Sequence, residues 1–260
     1  MSKIGIGCIS DEKYICLLKP FLKSLYTSNP SINVHILLVQ CEQYAKELVT
    51  LNPNVTITID NTSTSTVRKH LARHNIPIFD SITNPEMTVN KDGFQGPRWL
   101  MSDRACYCSN SRYRVILDMI DRKYDLILFM DVDAIIRKSL DDLFKQIKLH
   151  DICIKKEHRQ FNDEHEHIRD QYSPPDCTDW HCGIIGVNNN NLCREFFTKV
   201  NKLTEEDMFN WDADQDYFNL VYTQYENKLS MYNIPDMYKD EYQNVESYVW
   251  CGAGLVKYNN

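Results

Sequence analysis

The sequence has no surplus of positive charge: 29 Lys and Arg stand against 36 Asp and Glu, a net charge of −7. A protein that grips a nucleic-acid backbone needs a basic footprint, so that class is excluded. No apolar run reaches the ~20 residues of a membrane-spanning helix. The longest, around Leu126 to Met130, has the length of a strand. The opening Met1-Ser-Lys-Ile-Gly-Ile-Gly lacks the apolar stretch of a secretory leader, which predicts a cytoplasmic chain. No Cys-x-x-Cys occurs among the ten cysteines, and Cys106, Cys108, Cys177 and Cys182 lack zinc-ribbon spacing. Cys8, Cys41 and Cys153 lie in or beside apolar runs, where a thiol acts as a small hydrophobe. Reduced cysteines in a cytosolic setting are expected. There is no internal repeat, no low-complexity tract and no convincing linker, so residues 1–260 are expected to form one domain.

What is present is a core-forming chain, 43% hydrophobic and 11% aromatic. Ile4 to Ile9 predicts a strand. Tyr14, Leu17, Leu18, Phe21, Leu22 and Leu25 have helical spacing, stopped at Asn29-Pro30. Val34 to Val39, Glu42 to Leu51 and Val55 to Ile59 continue as strand, helix and strand. This βαβαβ order predicts an α/β fold, with a parallel sheet that binds ligands at the carboxyl ends of its strands. Residues 61 to 97 are rich in Thr, Ser and Pro and read as loops, apart from a helix over Val67 to His74. Arg98 to Arg122 is expected as one helix and Leu126 to Met130 as a buried strand. A helix capped by Ser139, a strand from Asp151 to Lys155 and a charged loop from Lys156 to Trp180 follow. The end of the chain reads as a strand over Gly183 to Asn188, helices over Leu192 to Leu203 and Asp214 to Tyr222, and short strands from Leu229 onward.

The sharpest feature is Asp131-Val132-Asp133, directly after the apolar strand. On an extended strand, side chains i and i+2 share a face, so both carboxylates can meet one divalent ion. Carboxylate oxygens suit magnesium or manganese. Taken alone, a solvated Asp pair opening a turn reads equally well.

The longer segment Leu126-Ile-Leu-Phe-Met-Asp131-Val-Asp133, with Ser139-Leu-Asp-Asp-Leu-Phe144 after it, resembles the Asp-x-Asp region of nucleotide-sugar glycosyltransferases of the GT-A fold. It is most similar to retaining family 8, the glycogenin and galactosyltransferase-like group. Further matches follow in order. Ile9-Ser-Asp11-Glu-Lys-Tyr14 resembles the first strand and loop, where Ile9, Asp11 and Tyr14 would hold the uracil. Arg114, seventeen residues before Asp131, matches an arginine that reaches the nucleotide-sugar. His181-Cys182-Gly183 resembles the strand lining the donor-sugar pocket, with His in place of the family's Asn. Asp214-Gln215-Asp216-Tyr-Phe-Asn219 matches the family's Asp-Gln-Asp-x-x-Asn, although acidic residues also favour any helix N-terminus. The final Cys251-Gly-Ala-Gly254-Leu-Val-Lys257 keeps the family's Gly and Lys, but Cys251 stands where a metal-binding His is found.

The resemblance implies a mostly parallel, Rossmann-like central sheet flanked by helices, with a smaller acceptor-side β region. Its donor-binding half would span about 1–135 and its acceptor-side half about 136–260. It implies a manganese or magnesium ion on Asp131 and Asp133, with either Cys251 or a water as a further ligand. Asp131, Val132, Asp133, His181, Cys182 and Lys257 would line the UDP-sugar, Asp214 would bind sugar hydroxyls, and Gln215 would lie near the anomeric carbon. The acceptor would be a glycan, protein or small-molecule hydroxyl, and self-association into a homo-oligomer is compatible with the chain. A catalytically impaired binding module and a sugar nucleotidyltransferase are the alternatives. The latter usually carries a Gly-rich loop after its first strand, which Ile9 to Tyr14 lacks. His165 and His167, Asp176 and Asp179, Arg98 and Trp99, and the aromatic stretch Tyr232 to Trp250 are weaker candidates for metal, acceptor, donor and sugar contacts respectively.

Overall fold

In the computed structural model, which describes residues 2–73, 103–157, 179–210 and 213–251, the apolar runs become strands and the 3.6-periodic stretches become helices that cover them. The chain opens with β1 (Ile4–Asp11), α1 (Ile15–Ser28), β2 (Asn33–Val39), a single 3-10 turn, α2 (Ala45–Leu51), β3 (Val55–Asp60) and α3 (Thr64–Arg73). It continues with α4 (Asp103–Asn110), α5 (Arg112–Asp121), β4 (Leu126–Met130), β5 (Ile135–Ile136), α6 (Asp141–Leu149), β6 (Ile152–Glu157) and β7 (Asp179–Asn188). It ends with α7 (Asn191–Glu206), α8 (Ala213–Tyr222), β8 (Met231–Asn233) and β9 (Val249–Trp250).

Seven strands form one sheet in the order β3-β2-β1-β4-β7-β6-β8. All share one direction except β7, which runs antiparallel between β4 and β6. β5 and β9 make a separate two-stranded ribbon, the expected smaller β region. Helices cover both faces, which is why the central strands are apolar throughout rather than alternating with polar residues. Leu126, Leu128 and Met130 of β4 point to one core with α1 and α6, and Ile127 and Phe129 to the other with α5, α7 and α8. In that second core, Phe196, Phe197 and Phe218 join Tyr113, with Phe196 edge-on to Phe218 at 5.1 Å.

Two sequence expectations change. The helix expected over 98–122 is two helices within its described part, parted at Ser111. The Ser111 hydroxyl donates to Tyr107 O at 2.7 Å, a local bond that competes with helix continuation. The strand expected from Gly183 begins at Asp179. Its first residues, Asp179-Trp180-His181, carry one apolar side chain between two polar ones, too short a pattern to announce a strand. Ser139 does act at the start of α6, where its hydroxyl accepts Asp141 N at 3.2 Å. The described cysteines are all free thiols. No helix among the described residues is long and apolar enough to cross a membrane.

Candidate active site

β1 and β4 pair in parallel, with Gly7 opposite Phe129, so their carboxyl ends open side by side. Asp11 ends β1, and Asp131 and Asp133 follow β4. Asp131 to Ala134 is a turn closed by Ala134 N donating to Asp131 O at 3.3 Å. This corrects the expected extended geometry. The two carboxylates stay on the outside because Val132, between them, turns into the core. Asp11 is buried, and its Oδ1 accepts Tyr14 N at 3.0 Å, which fixes the turn into α1. Burial pushes the Tyr14 phenol up, and Asp11 and Asp133 push the same way. Ile9 is buried in the β1 ladder, opposite Leu37.

The centre of the site is Arg112, which the sequence reading passed over. Its guanidinium is buried at the start of α5. Nε lies 2.6 Å from Asp214 Oδ2, and a terminal nitrogen lies 4.0 Å from Asp131 Oδ1. The other terminal nitrogen donates to Cys182 O, and Ser109 supplies two further acceptors at 2.9 Å. One side chain thus joins three separate motifs: the Asp-x-Asp turn, β7 and the start of α8. Asp214 is fixed from behind as well. Its N donates to Asn110 Oδ1 at 3.0 Å, and Tyr113 OH donates to its O at 2.6 Å. Asn219, at the end of the same motif, accepts Trp180 N at 3.0 Å and so clips α8 to the start of β7. Gln215 is half-buried beside Asp214, and Asp216 is exposed.

β7 is irregular where it meets the site. Ile154 pairs with Ile185, yet Lys155 pairs with His181, so Cys182–Ile184 bulge from the ladder. Bulges re-aim side chains beside active sites. Here Gly183 O accepts Asp131 N at 3.2 Å, and Gly183 N donates to His181 Nδ1 at 3.1 Å. A β-carbon at Gly183 would lie 3.0 Å from both Asp131 Oδ2 and His181 Cε1, so these two side chains close over the glycine. Because His181 Nδ1 accepts, the neutral ring carries its proton on Nε2.

Asp131 opens to solvent on one side, with its side chain 47% exposed, while protein surrounds it on the others. Burial pushes its carboxyl up to about 6, Arg112 opposes the shift, and Asp133 and Asp214 add to it. Cys251 is buried, with its thiol 3.9 Å from Tyr238 O and packed in the core with Val249. Among the described residues, no three His, Cys, Asp or Glu side chains gather as a metal-ligand set. Lys257 lies outside the described residues, as do Arg98, Trp99, His165, His167 and Asp176.

Arg114 is held at the end of β3, whose Asp60 is level with Asp11 in the sheet register. It lies 2.8 Å from Asp60 Oδ2 at the end of β3 and donates to Tyr107 OH at 2.8 Å. Two residues apart on a helix is about 200° of rotation, so Arg112 and Arg114 face opposite ways and one of them reaches Asp131. Helical phase was the signal that separates them, and spacing along the chain does not contain it.

No protein-family model and no curated protein matches the sequence. Solved structures do. The galactosyltransferase LgtC, in complex with donor and acceptor sugar analogues, superposes with a TM-score of 0.56 at 15% identity, over 96% of this chain and 87% of that one. The glycosyltransferase GlyE of Streptococcus pneumoniae gives 0.51 at 16% identity, over 92% of this chain and 47% of its own. Mouse xyloside xylosyltransferase 1 gives 0.50 at 12% identity, over 96% and 97%. The chain spans about half the length of GlyE. At these identities the likeness establishes the fold, a GT-A, Rossmann-like arrangement shared with these glycosyltransferases.

Proposed function

We propose that this chain is a metal-dependent glycosyltransferase that moves a sugar from a UDP-sugar to an acceptor hydroxyl, with retention of configuration. The observation that carries the reading is the Arg112 hub. It draws the Asp-x-Asp turn, the β7 bulge and Asp214 together at the carboxyl edge of a GT-A sheet.

The donor set fits a hard divalent ion. Asp131 and Asp133 offer carboxylate oxygens on one turn, and a cation there would offset the burial that, with Asp133 and Asp214, pushes the Asp131 carboxyl up. Manganese or magnesium held there would neutralise charge on the departing diphosphate. The protein's own groups do the rest. Arg112 pairs with the Asp214 carboxylate, whose oxygens are acceptors for sugar hydroxyls. Asp11 and Tyr14 line the nucleoside end. Gln215 presents a neutral amide, whose dipole favours an oxocarbenium-like centre without forming a conventional nucleophile. The acceptor then attacks the face the leaving group departs from, and a departing phosphate oxygen takes the acceptor proton.

The test is UDP release from UDP-glucose, UDP-galactose and UDP-GlcNAc in manganese. The expected result is slow, metal-dependent hydrolysis that Asp133→Ala abolishes. Release that is the same in EDTA, or in Asp133→Ala, refutes the reading. A binding module without turnover is the second reading, favoured by the Cys251 thiol lying against Tyr238 O in the core. UDP affinity without any hydrolysis selects it.

A further inference from the structure

Asp214 is held through three different groups by one short stretch of chain, residues 110–113. Asn110 Oδ1 accepts its backbone N–H at 3.0 Å, Arg112 Nε lies 2.6 Å from its carboxylate, and Tyr113 OH donates to its backbone O at 2.6 Å. Asp214 is the second residue of α8, where a backbone N–H has no partner within its own helix, so Asn110 caps α8 from another element. The Asn110 amide also donates to Met208 O and Asn210 O, each at 2.8 Å, which seats the chain leading into α8. The Tyr113 hydroxyl lies 3.2 Å from Cys182 Sγ as well, in the β7 bulge. Asn110, Ser111 and Tyr113 are all fully buried. A buried, hydrogen-bonded polar network of this kind rigidifies what it holds.

The break at Ser111 is what lets these side chains converge. Along an unbroken helix, Asn110 and Arg112 would point ~200° apart. Ser111 instead sits at φ −88° and ψ 2°, in the sparsely populated bridge region where active-site residues recur. Its hydroxyl holds the break by donating to Tyr107 O. Asn110 therefore ends α4, Arg112 opens α5, and both reach Asp214.

We propose that Asn110 and Tyr113 are positioning residues for the donor sugar. They fix the Asp214 backbone on both sides and so aim its carboxylate at the sugar hydroxyls, while Arg112 holds the carboxylate itself. This rests on the nucleotide-sugar reading above and adds two residues that the family resemblance leaves out. Both act through Asp214, so their effect falls on the sugar end of the donor and not on its base or diphosphate. The aim matters because a misplacement of about 1 Å can cost ~100-fold in rate.

The experiment compares wild type, Tyr113→Phe and Asn110→Ala in two assays, both run well below each variant's melting temperature. One is UDP release from UDP-glucose, UDP-galactose and UDP-GlcNAc in manganese. The other is calorimetry with UDP, which lacks the sugar. Tyr113→Phe removes the hydroxyl and keeps the ring. It is expected to lower kcat/KM for UDP release at least tenfold and to leave UDP affinity within twofold. Asn110→Ala is expected to do the same, and if it fails to fold, Tyr113→Phe carries the test. Unchanged kcat/KM in Tyr113→Phe overturns the positioning role. So does a UDP affinity that falls by the same factor as kcat/KM, because a general loosening of the fold moves both. Wild type that releases no UDP from any of the three sugars overturns the transferase reading, and this role with it.

Discussion

Arg112→Met is the most demanding perturbation of this structure. Arg112 and Asp214 have side chains 9% and 6% exposed, so removing the guanidinium strands a buried carboxylate. Breaking a buried pair in this way costs about 3–5 kcal/mol. The Cys182 carbonyl also loses its donor, and an unsatisfied buried polar group adds about 1–3 kcal/mol. Asp131, half-exposed and 4.0 Å away, adds little. The expected loss is therefore about 4–8 kcal/mol, set against the ~5–15 kcal/mol that keeps a domain folded. Denaturant unfolding reads it as a lower transition midpoint at unchanged slope. The decisive measurement is a double-mutant cycle with Asp214→Asn. Once Asp214 is neutral, no stranded charge remains, so the double variant is expected to be more stable than Arg112→Met alone, with a coupling of about 2 kcal/mol or more. A loss below about 1 kcal/mol for Arg112→Met, or strictly additive variants, would refute the hub as an energetic unit.

Two further outcomes follow from the same geometry. The Asp131 carboxyl is raised in the folded state from its ordinary 3.8 to about 6, so the folded chain binds more protons than the unfolded one between those values. Stability attributable to this group is therefore present below about 4 and lost as pH rises through about 6. Asp131→Asn should raise the melting temperature of the metal-free protein at pH 7.5 and leave it nearly unchanged at pH 4, while abolishing metal-dependent turnover. Equal shifts at both pH values would show that charge is not the cause. Gly183→Ala puts a methyl 3.0 Å from Asp131 Oδ2 and His181 Cε1, so both must give way. Overpacking of this kind costs about 1–3 kcal/mol, and manganese-dependent UDP affinity should fall with it. Unchanged affinity by calorimetry would place Gly183 away from the ligand.

Much of the fold was legible in order along the chain. The runs at 4–9, 34–39 and 126–130 are buried and largely apolar because both faces of their sheet are covered, whereas the edge strand at 55–59 alternates with Thr56 and Thr58, and all four are parallel strands. The break at Ser111 was not legible, because the apolar phase runs on through it and only a side-chain bond to Tyr107 interrupts the helix. Nor was the early start of β7. Asp179 to His181 belong to the strand through pairing with Lys155–Glu157, and three residues of alternation, with Trp180 alone apolar among them, are too few to mark a strand. The antiparallel direction of β7 likewise comes from its partners β4 and β6 rather than from its own residues.

The same division runs through the candidate site. Local sequence determined that two carboxylates end a buried strand, that a second acidic motif opens a helix, and that a small residue sits between strand residues 182 and 184. These are properties of adjacent residues, and adjacent residues suffice to specify them. Which arginine joins them was decided by tertiary structure. Arg112 and Arg114 have the same chemistry and nearly the same distance from Asp131 along the chain. Helical rotation sends one to Asp214 and the other to Asp60. The β5–β9 ribbon belongs to the same class, because it pairs residues more than a hundred apart, a contact that exists only once the chain has folded.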